Sequence, residues 1–398
     1  MRKRGLGGLV VGAVVFLIFL GYRIDYKYDT FSQLVVRSDP LKEIKEGCGC
    51  QGENFCFPGL DESLNRKYGQ PFPCEYYKYL IKFHLTESDI SGLKTNGTDE
   101  IDDNWLPVFA SAVSSNHFSE TRSFVLDIRK WVPNSKIIIY DLGLERKEIN
   151  EIQSWCNVEY RKFDYANYPP HFRNLLSYAF KIVIAEILRT ERNFFFYDSS
   201  VRLDDNLHKM IPKAIKEGKI LPFMNFNAAW HSVYATLANG TLDYIPLPNE
   251  VLYAREYQSI LFISDSAYTR RFIRWFSLCA LTEDCISPKG AIVNCTLHGD
   301  PLHDKMNCHR YDQNLWNMIH LEFLFHPIER GAISLGLIDK WGNGTEFIRN
   351  VLRERDSRYL WWGSKFLVVR AGSQTPIKVE CAEQANSSTT AVLKEILL

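Results

Sequence analysis

The sequence has no excess of charge of either sign, since its 47 Lys and Arg residues balance its 47 Asp and Glu residues. A neutral chain has no global basic field, so a nucleic-acid partner is not expected. Only residues 5–22 form an uncharged, mainly apolar run that is long enough to be a minimal membrane span. The roughly 375 residues beyond that run suit one large domain or two small ones with filled cores.

The N-terminus also lacks a clean small-x-small cleavage site near residues 19–21. An uncleaved signal anchor is therefore favoured over its alternative, a cleavable signal peptide. Residues 1–4 carry three positive charges, whereas the charges just after residue 22 are balanced, which keeps the N-terminus cytosolic. We expect a single-pass type II protein of the Golgi membrane, with a cytosolic tail at 1–4, a transmembrane anchor at 5–22 and a luminal body.

Ten cysteines and five Asn-x-Ser/Thr sequons agree with an oxidising, glycosylating lumen, and thus with a disulfide-bonded glycoprotein. The even number of cysteines permits complete pairing, although spacing alone does not fix the connectivity. Short loops flanked by turn residues favour two local disulfides, Cys279 with Cys285 and Cys295 with Cys308. The sequons begin at Asn96, Asn239, Asn294, Asn343 and Asn386.

The sequence pattern changes near residue 106. Residues 23–105 hold four closely spaced cysteines and little periodicity, which predicts a luminal, Cys-rich stem or small cap. In the domain at 106–355, strand and helix patterns alternate four times over about 95 residues, and 356–398 is a C-terminal extension. The alternation predicts right-handed crossovers and a three-layer α/β sandwich with a mainly parallel sheet. The strands are expected at residues 108–113, 137–140, 158–163 and 194–197.

An apolar run at residues 193–197 stops abruptly at Asp198, which is followed by two serines. Such a run is typical of a strand buried on both faces, and ligands of parallel sheets bind beyond the carboxyl ends of the strands. Asp198 is therefore the leading candidate for a functional carboxylate, with Asp141 expected at the same edge. The alternative is that Asp198 only caps the next turn.

Six short sequence motifs are each weak evidence of a family resemblance, but together they are specific. They are Ser114-Ser-Asn-His117, Tyr140-Asp-Leu-Gly-Leu144, Tyr178-Ala-Phe-Lys181, Tyr197-Asp-Ser-Ser200, Cys279-Ala-Leu with Cys285-Ile-Ser-Pro288, and His309-Arg-Tyr-Asp-Gln-Asn314. Through them residues 106–355 resemble a group of uncharacterised invertebrate and plant type II membrane proteins that look like distant GT-A glycosyltransferases, similar to the glycogenin-like family 8. The resemblance implies a GT-A-like fold and transfer of a sugar from a nucleotide-sugar donor to a glycan or glycoprotein acceptor.

The resemblance also implies roles for individual residues. Tyr178 and Lys181, three apart on a helix before the key strand, would position the nucleotide. Asp312 and Gln313 would be catalytic residues that approach the donor sugar, the reacting carbon or the acceptor hydroxyl. Arg202 is a further candidate for binding the donor phosphates. The structural alternatives are a snorkelling Lys181, a helix-capping Asp312 and a merely exposed Arg202.

A divalent metal is part of the same expectation. Asp198 matches the first carboxylate of a metal-binding Asp-x-Asp, but Ser200 stands where the second should be. Hard carboxylate oxygens suit Mn or Mg, which would neutralise the departing diphosphate, and a serine hydroxyl is a weaker ligand. His309 is the histidine best placed to reach this metal or the diphosphate. A dedicated zinc site at His298, His303, Cys308 and His309 is disfavoured, because Cys308 is expected in a disulfide.

Two other functions remain open at this stage. A catalytically inactive GT-A-like protein that binds glycans or a partner is compatible with the loss of the second Asp. A luminal sulfotransferase would need a basic, hydroxyl-rich phosphate loop after an early strand. Ser114-Ser-Asn-His117 contains no lysine or arginine, which makes that alternative the weaker one.

Overall fold

The computed structural model describes residues 44–93, 101–102, 104–203, 223–296, 299–325, 366–368 and 372–380. The described residues from 44 onward belong to one compact unit. The predicted tail and anchor lie outside the described residues. Within the described ranges, no helix combines the length and the apolar character that crossing a bilayer requires.

The cysteine-rich segment contributes two small antiparallel pairs and two helices. These elements are β1 (Gly49–Cys50) with β2 (Glu53–Asn54), β3 (Cys56–Leu60) with β4 (Arg66–Pro71), α1 (Tyr77–Phe83) and α2 (Glu87–Ser91). Disulfides Cys48–Cys56 and Cys50–Cys74 fasten the segment. Because crosslinks limit the unfolded chain, each is expected to stabilise this loop-rich region.

This segment packs directly onto the rest of the molecule. Leu60 donates its backbone N–H to the Pro246 carbonyl at 2.9 Å. A Cβ at Gly59 would collide with the Pro246 backbone, and one at Gly69 with the Tyr244 backbone, so both positions need glycine for close approach. Its apolar side chains join the large core cluster. The predicted boundary near residue 105 therefore does not separate two cores within the described residues.

The remaining strands build mainly one central sheet. In chain order they are β5 (Val108–Val113), β6 (Ile137–Asp141), β7 (Val158–Lys162), β8 (Asn193–Phe196), β9 (Val201–Leu203), β10 (Phe223–Ser232), β11 (Arg255–Ser264) and β12 (Phe366–Val368). The six-stranded sheet has the order β10-β11-β8-β5-β6-β7, and β9 pairs separately with β12.

The four strands expected from the sequence are neighbours in this sheet. β5 pairs in parallel with both β6 and β8, and β6 pairs in parallel with β7. β11 is antiparallel to β8, and β10 is antiparallel to β11, so five of the six strands run in one direction. The prediction of a mainly parallel α/β sheet is confirmed. The antiparallel insertion of β11 is an addition that the strand patterns did not predict.

Helices cover both faces of the sheet. They are α3 (Phe118–Trp131), α4 (Arg146–Ser154), α5 (Val183–Leu188), α6 (Thr241–Tyr244), α7 (Asn249–Leu252), α8 (Ala267–Leu281), α9 (Glu283–Ile286) and α10 (Tyr311–Phe325). Period-two alternation divides the β8 region: Phe194 and Phe196 lie in one core cluster, whereas Phe195 and Tyr197 lie in the other. Each fully buried phenylalanine stabilises the fold by about 1.5–3 kcal/mol.

Both predicted local disulfides are confirmed. Cys279 at the end of α8 bonds to Cys285 in α9, and Cys295 bonds to Cys308 before α10. Their sulfur atoms meet because the intervening turns are short, at sequence separations of 6 and 13. The second disulfide fastens the loop that leads to α10.

Candidate active site

A buried lysine joins two carboxylates at the carboxyl edge of the sheet. Lys181 Nζ lies 2.9 Å from Asp198 Oδ1 and 2.8 Å from Asp312 Oδ2. The Lys181 and Asp312 side chains are 1% and 6% exposed, whereas the Asp198 side chain is 48% exposed. The ammonium is therefore enclosed, and the Asp198 carboxylate keeps an open side.

The two carboxylates determine the charge of the lysine. Burial alone would lower the pKa of Lys181, but the Asp198 and Asp312 charges outweigh it, and the pKa lies above the usual lysine value. Lys181 is consequently an ammonium at neutral pH and a hydrogen-bond donor in fixed geometry. A snorkelling side chain would instead carry its head group into solvent, so the structure contradicts that alternative.

Three separate elements bring these groups together. Asp198 follows the end of β8, where the Val201 N–H donates to the Asp198 carbonyl in a turn. Lys181 lies in the 3₁₀ turn Ala179–Ile182 before α5. Asp312 is the second residue of α10, where a carboxylate complements the helix dipole.

The backbone before Lys181 differs from the expected helix. Residues Leu175–Ser177 and Ala179–Ile182 form two 3₁₀ turns, and Tyr178 between them has φ = 55°. The left-handed conformation is rare for an aromatic residue, and such strain concentrates at functional sites. The prediction that Tyr178 and Lys181 share one helical face is therefore wrong. Both residues nevertheless border the same cleft, because the left-handed turn redirects the chain.

Tyr311 is a second tyrosine with left-handed backbone geometry, at φ = 37°. Its ring centroid lies 6.1 Å from that of Tyr178. The Tyr311 hydroxyl donates to the Ala291 carbonyl at 3.2 Å, which holds the ring in place. Two fixed aromatic rings thus stand together beside the Lys181 cluster.

A cleft of about 320 Å³ opens over these residues, within the usual size range of ligand sites. It collects six of the eight predicted site residues: Tyr178, Lys181, Asp198, Ser200, Asp312 and Gln313. The lining also includes three polar residues that the sequence did not indicate as site residues: Gln258, Asn294 and Arg310. Arg310 and Tyr311 belong to the phrase His309-Arg-Tyr-Asp-Gln-Asn314, in which roles are predicted only for His309, Asp312 and Gln313.

Arg202 and His309 do not line the cleft. The Arg202 guanidinium donates to the carbonyls of Ser199, Val201 and Glu120, so it binds backbone. His309 is 1% exposed, and its Nε2 is 3.1 Å from the Ile286 carbonyl. The phosphate role of Arg202 therefore finds no support in this geometry.

Both ring nitrogens of His309 form hydrogen bonds inside the protein. Its Nδ1 accepts the Ala238 N–H at 3.2 Å, so Nε2 is the donor to the Ile286 carbonyl. Burial lowers the pKa of His309 to about 4, which leaves the imidazole neutral. A ring with both nitrogens engaged has no lone pair for a metal. The prediction of His309 as a ligand is thus corrected.

The donor set around Asp198 does not fit a divalent metal. The Asp198 carboxylate is already paired with the Lys181 ammonium, and Ser200 is 4% exposed with a neutral hydroxyl. Among the described residues there is no group of three or more His, Cys, Asp or Glu side chains that would hold a metal ion. Mn and Mg prefer several anionic oxygens, so these residues provide too few.

The zinc alternative also fails for the residues that can be placed. Cys308 is consumed by its disulfide with Cys295. The His303 Nδ1 is 2.6 Å from the Asp300 carboxylate, and that pair is exposed. His298 lies outside the described residues. A thiolate ligand is therefore not available.

Asp141 lies at the carboxyl edge of the sheet, as predicted, but its carboxylate stabilises a turn. Val113 of β5 pairs with Asp141 at the carboxyl ends of their strands. The Asp141 carboxylate accepts the Gly143 and Leu144 N–H groups at 2.7 Å each and the Tyr160 hydroxyl at 2.6 Å. This carboxylate closes the β6–α4 turn.

Comparison with known proteins gives one family model and several similar solved structures. The model described as "Protein of unknown function (DUF1647)" matches residues 48–186, a range that crosses from the cysteine-rich segment into the sheet. No curated protein matches the sequence. The family description assigns no activity.

The similar solved structures include three glycosyltransferases. Galactosyltransferase LgtC in complex with donor and acceptor sugar analogues is 11% identical, with 62% of this chain and 95% of LgtC covered at a TM-score of 0.34. The mannosyltransferase Ktr4p from S. cerevisiae in complex with GDP is 10% identical, with 62% and 76% covered and a TM-score of 0.36. Mouse xyloside xylosyltransferase 1 is 11% identical, with 56% and 83% covered and a TM-score of 0.32.

Proposed function

We propose that the protein is a luminal glycosyltransferase that transfers a sugar from a nucleotide-sugar donor to a glycan or glycoprotein acceptor. The observation that carries this proposal is the Asp198–Lys181–Asp312 cluster at the base of the cleft. Two carboxylates joined by a buried ammonium form a rigid array of hydrogen-bond acceptors. Such an array suits the hydroxyl groups of a sugar.

The lining of the cleft matches the other parts of a nucleotide sugar. Gln258, Asn294 and Gln313 supply amides that can both donate and accept hydrogen bonds. Tyr178 and Tyr311 supply flat faces for a base or a sugar ring. Polar amides and aromatic surfaces together fit a ligand that is partly hydroxylated and partly planar.

The reaction requires one bond to break and one to form. The bond between the anomeric carbon and the diphosphate oxygen breaks, and the acceptor hydroxyl oxygen bonds to that carbon. The hydroxyl proton leaves with the nucleoside diphosphate or passes to water. In this scheme Asp312 and Gln313 orient the donor sugar or the acceptor hydroxyl, and the ion pair with Lys181 fixes the position of the Asp312 carboxylate.

The Asp198→Ala variant tests the proposal. The open side of this carboxylate should bind the donor sugar, so we expect nucleotide-sugar affinity to fall about tenfold or more while the protein remains folded. A panel of nucleotide sugars titrated into the full-length protein by calorimetry measures the loss. Asp164→Ala is the matched control, because Asp164 is an exposed cap that accepts the Ala166 N–H at 3.1 Å.

Asp164→Ala should cost about 1 kcal/mol of stability or less and leave ligand affinity unchanged. If Asp198→Ala behaves in the same way, with a modest stability loss and unaltered nucleotide-sugar affinity, Asp198 is a cap and the proposal fails. Melting curves of both variants separate the two results.

A catalytically inactive, glycan-binding protein is the second candidate. Ser200 in the position of a second metal-binding carboxylate favours it. The distinguishing measurement is turnover: release of nucleoside diphosphate from the same panel, with and without Mn. Binding of sugars without any release across the panel would favour the inactive protein.

The luminal location leads to a separate prediction about glycosylation. The sequon residue Asn239 is exposed and lies outside the cleft, and the disulfides of the described region agree with an oxidising compartment. We expect a glycosidase that removes N-linked glycans to lower the mass of the protein expressed in eukaryotic cells. Asn239→Gln should remove one step of that shift. An unchanged mass after treatment would contradict the luminal assignment.

A further inference from the structure

Arg310 is a cationic residue of the cleft, and it forms no ion pair with Asp198 or Asp312. Its side chain is half-buried and lines the cleft next to Tyr311 and Asp312. Asp198 and Asp312 are paired with Lys181 instead. Within the described parts of the chain, no carboxylate lies within ion-pairing distance of the Arg310 guanidinium. The described residues therefore leave its N–H donors without a carboxylate partner in a polar cleft.

The positive charge of Arg310 acts on two ionisable groups, Tyr178 and Glu256. Burial raises the pKa of Tyr178, and the positive charge of Arg310 acts against that rise. Burial likewise raises the pKa of Glu256, again with Arg310 opposing the change. The geometry agrees: Tyr178 and Arg310 line the same cleft, and Asn314 links the Arg310 backbone N–H to Glu256.

A buried polar network fixes the backbone of Arg310. The Arg310 N–H lies 2.8 Å from Asn314 Oδ1 and 3.2 Å from the Thr236 carbonyl. Asn314 Nδ2 donates to Glu256 Oε1 at 2.8 Å, and the Thr236 hydroxyl donates to Glu256 Oε2 at 2.9 Å. Glu256, Asn314 and Thr236 are all fully buried. A network that is satisfied on several sides holds Arg310 rigidly at the start of α10.

We propose that Arg310 binds the diphosphate of the donor and takes the place of a divalent metal in this site, so that diphosphate binding is metal-independent. This inference rests on the proposed function for the nature of the donor. A guanidinium can hold two phosphate oxygens at once through parallel N–H donors, with its charge fixed at all physiological pH values. It thus supplies the positive charge that the poor metal-ligand set at Asp198 does not attract.

The experiment uses inorganic pyrophosphate as the probe, because it contains the diphosphate without a base or a sugar. Pyrophosphate is titrated into the full-length protein in EDTA and again with Mn. We expect binding in EDTA and less than about a twofold gain with Mn. Arg310→Met should weaken binding about tenfold or more, as expected for lost hydrogen bonds to a charged ligand. Arg310→Lys should recover part of the affinity, because it restores the charge without the fork.

Arg146→Met is the matched control, since Arg146 is an exposed arginine of α4 that does not line the cleft. It should leave pyrophosphate affinity unchanged. Equal affinity in Arg310→Met and Arg146→Met would overturn the inference, as would binding that occurs only with Mn or not at all. Melting curves show that each variant is folded.

The two proposals fail in different ways. If pyrophosphate binding depends on Arg310 but Asp198→Ala retains full affinity for every nucleotide sugar, the diphosphate site stands and the glycosyltransferase proposal falls. If nucleotide sugars bind through Asp198 but Arg310→Met leaves pyrophosphate affinity unchanged, only the proposed role of Arg310 is contradicted.

Discussion

Replacing Lys181 with methionine is expected to destabilise the protein by about 3 kcal/mol and to abolish nucleotide-sugar binding. Methionine fills a similar volume but leaves the buried Asp312 carboxylate without the ammonium 2.8 Å away. The expected loss of stability is small for a broken buried ion pair, because the Asp198 side chain is 48% exposed and water can screen its charge. Urea denaturation with disulfides intact gives the stability, and calorimetry gives the binding.

A second variant shows that the loss comes from the uncompensated carboxylate. Adding Asp312→Asn to Lys181→Met removes that charge, so the double variant should regain most of the stability but none of the binding. Lys82→Met is the control: its ammonium is 3.1 Å from Glu186, and the pair is partly exposed. We expect a cost below about 1 kcal/mol there. Equal losses in Lys181→Met and Lys82→Met would show that the cluster is not a buried ionic centre.

Arg274→Met is expected to lower the free energy of unfolding by about 3–5 kcal/mol, the largest stability effect outside the cleft. Arg274 of α8 is 2% exposed, and one guanidinium nitrogen lies 2.6 Å from Glu53 Oε2. Another donates to the Asn54 carbonyl at 2.9 Å. The substitution leaves Glu53 buried without its cation and removes a link between α8 and the cysteine-rich segment.

Arg271→Met on the same helix is the matched comparison. Arg271 is only partly buried and pairs with Glu87, whose side chain is 42% exposed, at 3.3 Å. Its loss should cost less than about 1 kcal/mol. Adding Glu53→Gln to Arg274→Met should recover part of the stability. If Arg274→Met is no more destabilising than Arg271→Met, the segment at 44–93 is not anchored through this ion pair.

The N-terminal segment shows that a sequence pattern can indicate disulfide chemistry without indicating how the segment packs. Closely spaced cysteines predicted a disulfide-fastened region, and Cys48–Cys56 and Cys50–Cys74 are such bonds. The same segment suggested a separate stem because its periodicity is weak. Its apolar residues are buried in the same core cluster as residues of α8 and the central sheet.

Features that depend on neighbours along the chain could be predicted from the residues alone. Alternating strand and helix patterns predicted the parallel core strands, and the apolar run before Asp198 placed that carboxylate at the strand edge. Short spacings predicted the Cys279–Cys285 and Cys295–Cys308 bonds. These features are local, because hydrophobic periodicity and short loop closure are encoded within a few residues.

Which distant residues meet could not be predicted, because it depends on how the elements pack. Asp312 follows Lys181 by 131 positions, and no periodicity connects them, yet their charges share one buried site. The left-handed turn at Tyr178 redirects a segment that a helical pattern would have kept straight. His309 and Arg310 are adjacent in the chain, but the hydrogen bonds of His309 to Ala238 and Ile286 turn its ring away from the cleft that Arg310 lines. Side-chain direction at a loop–helix junction is set by long-range hydrogen bonds, which no local pattern specifies.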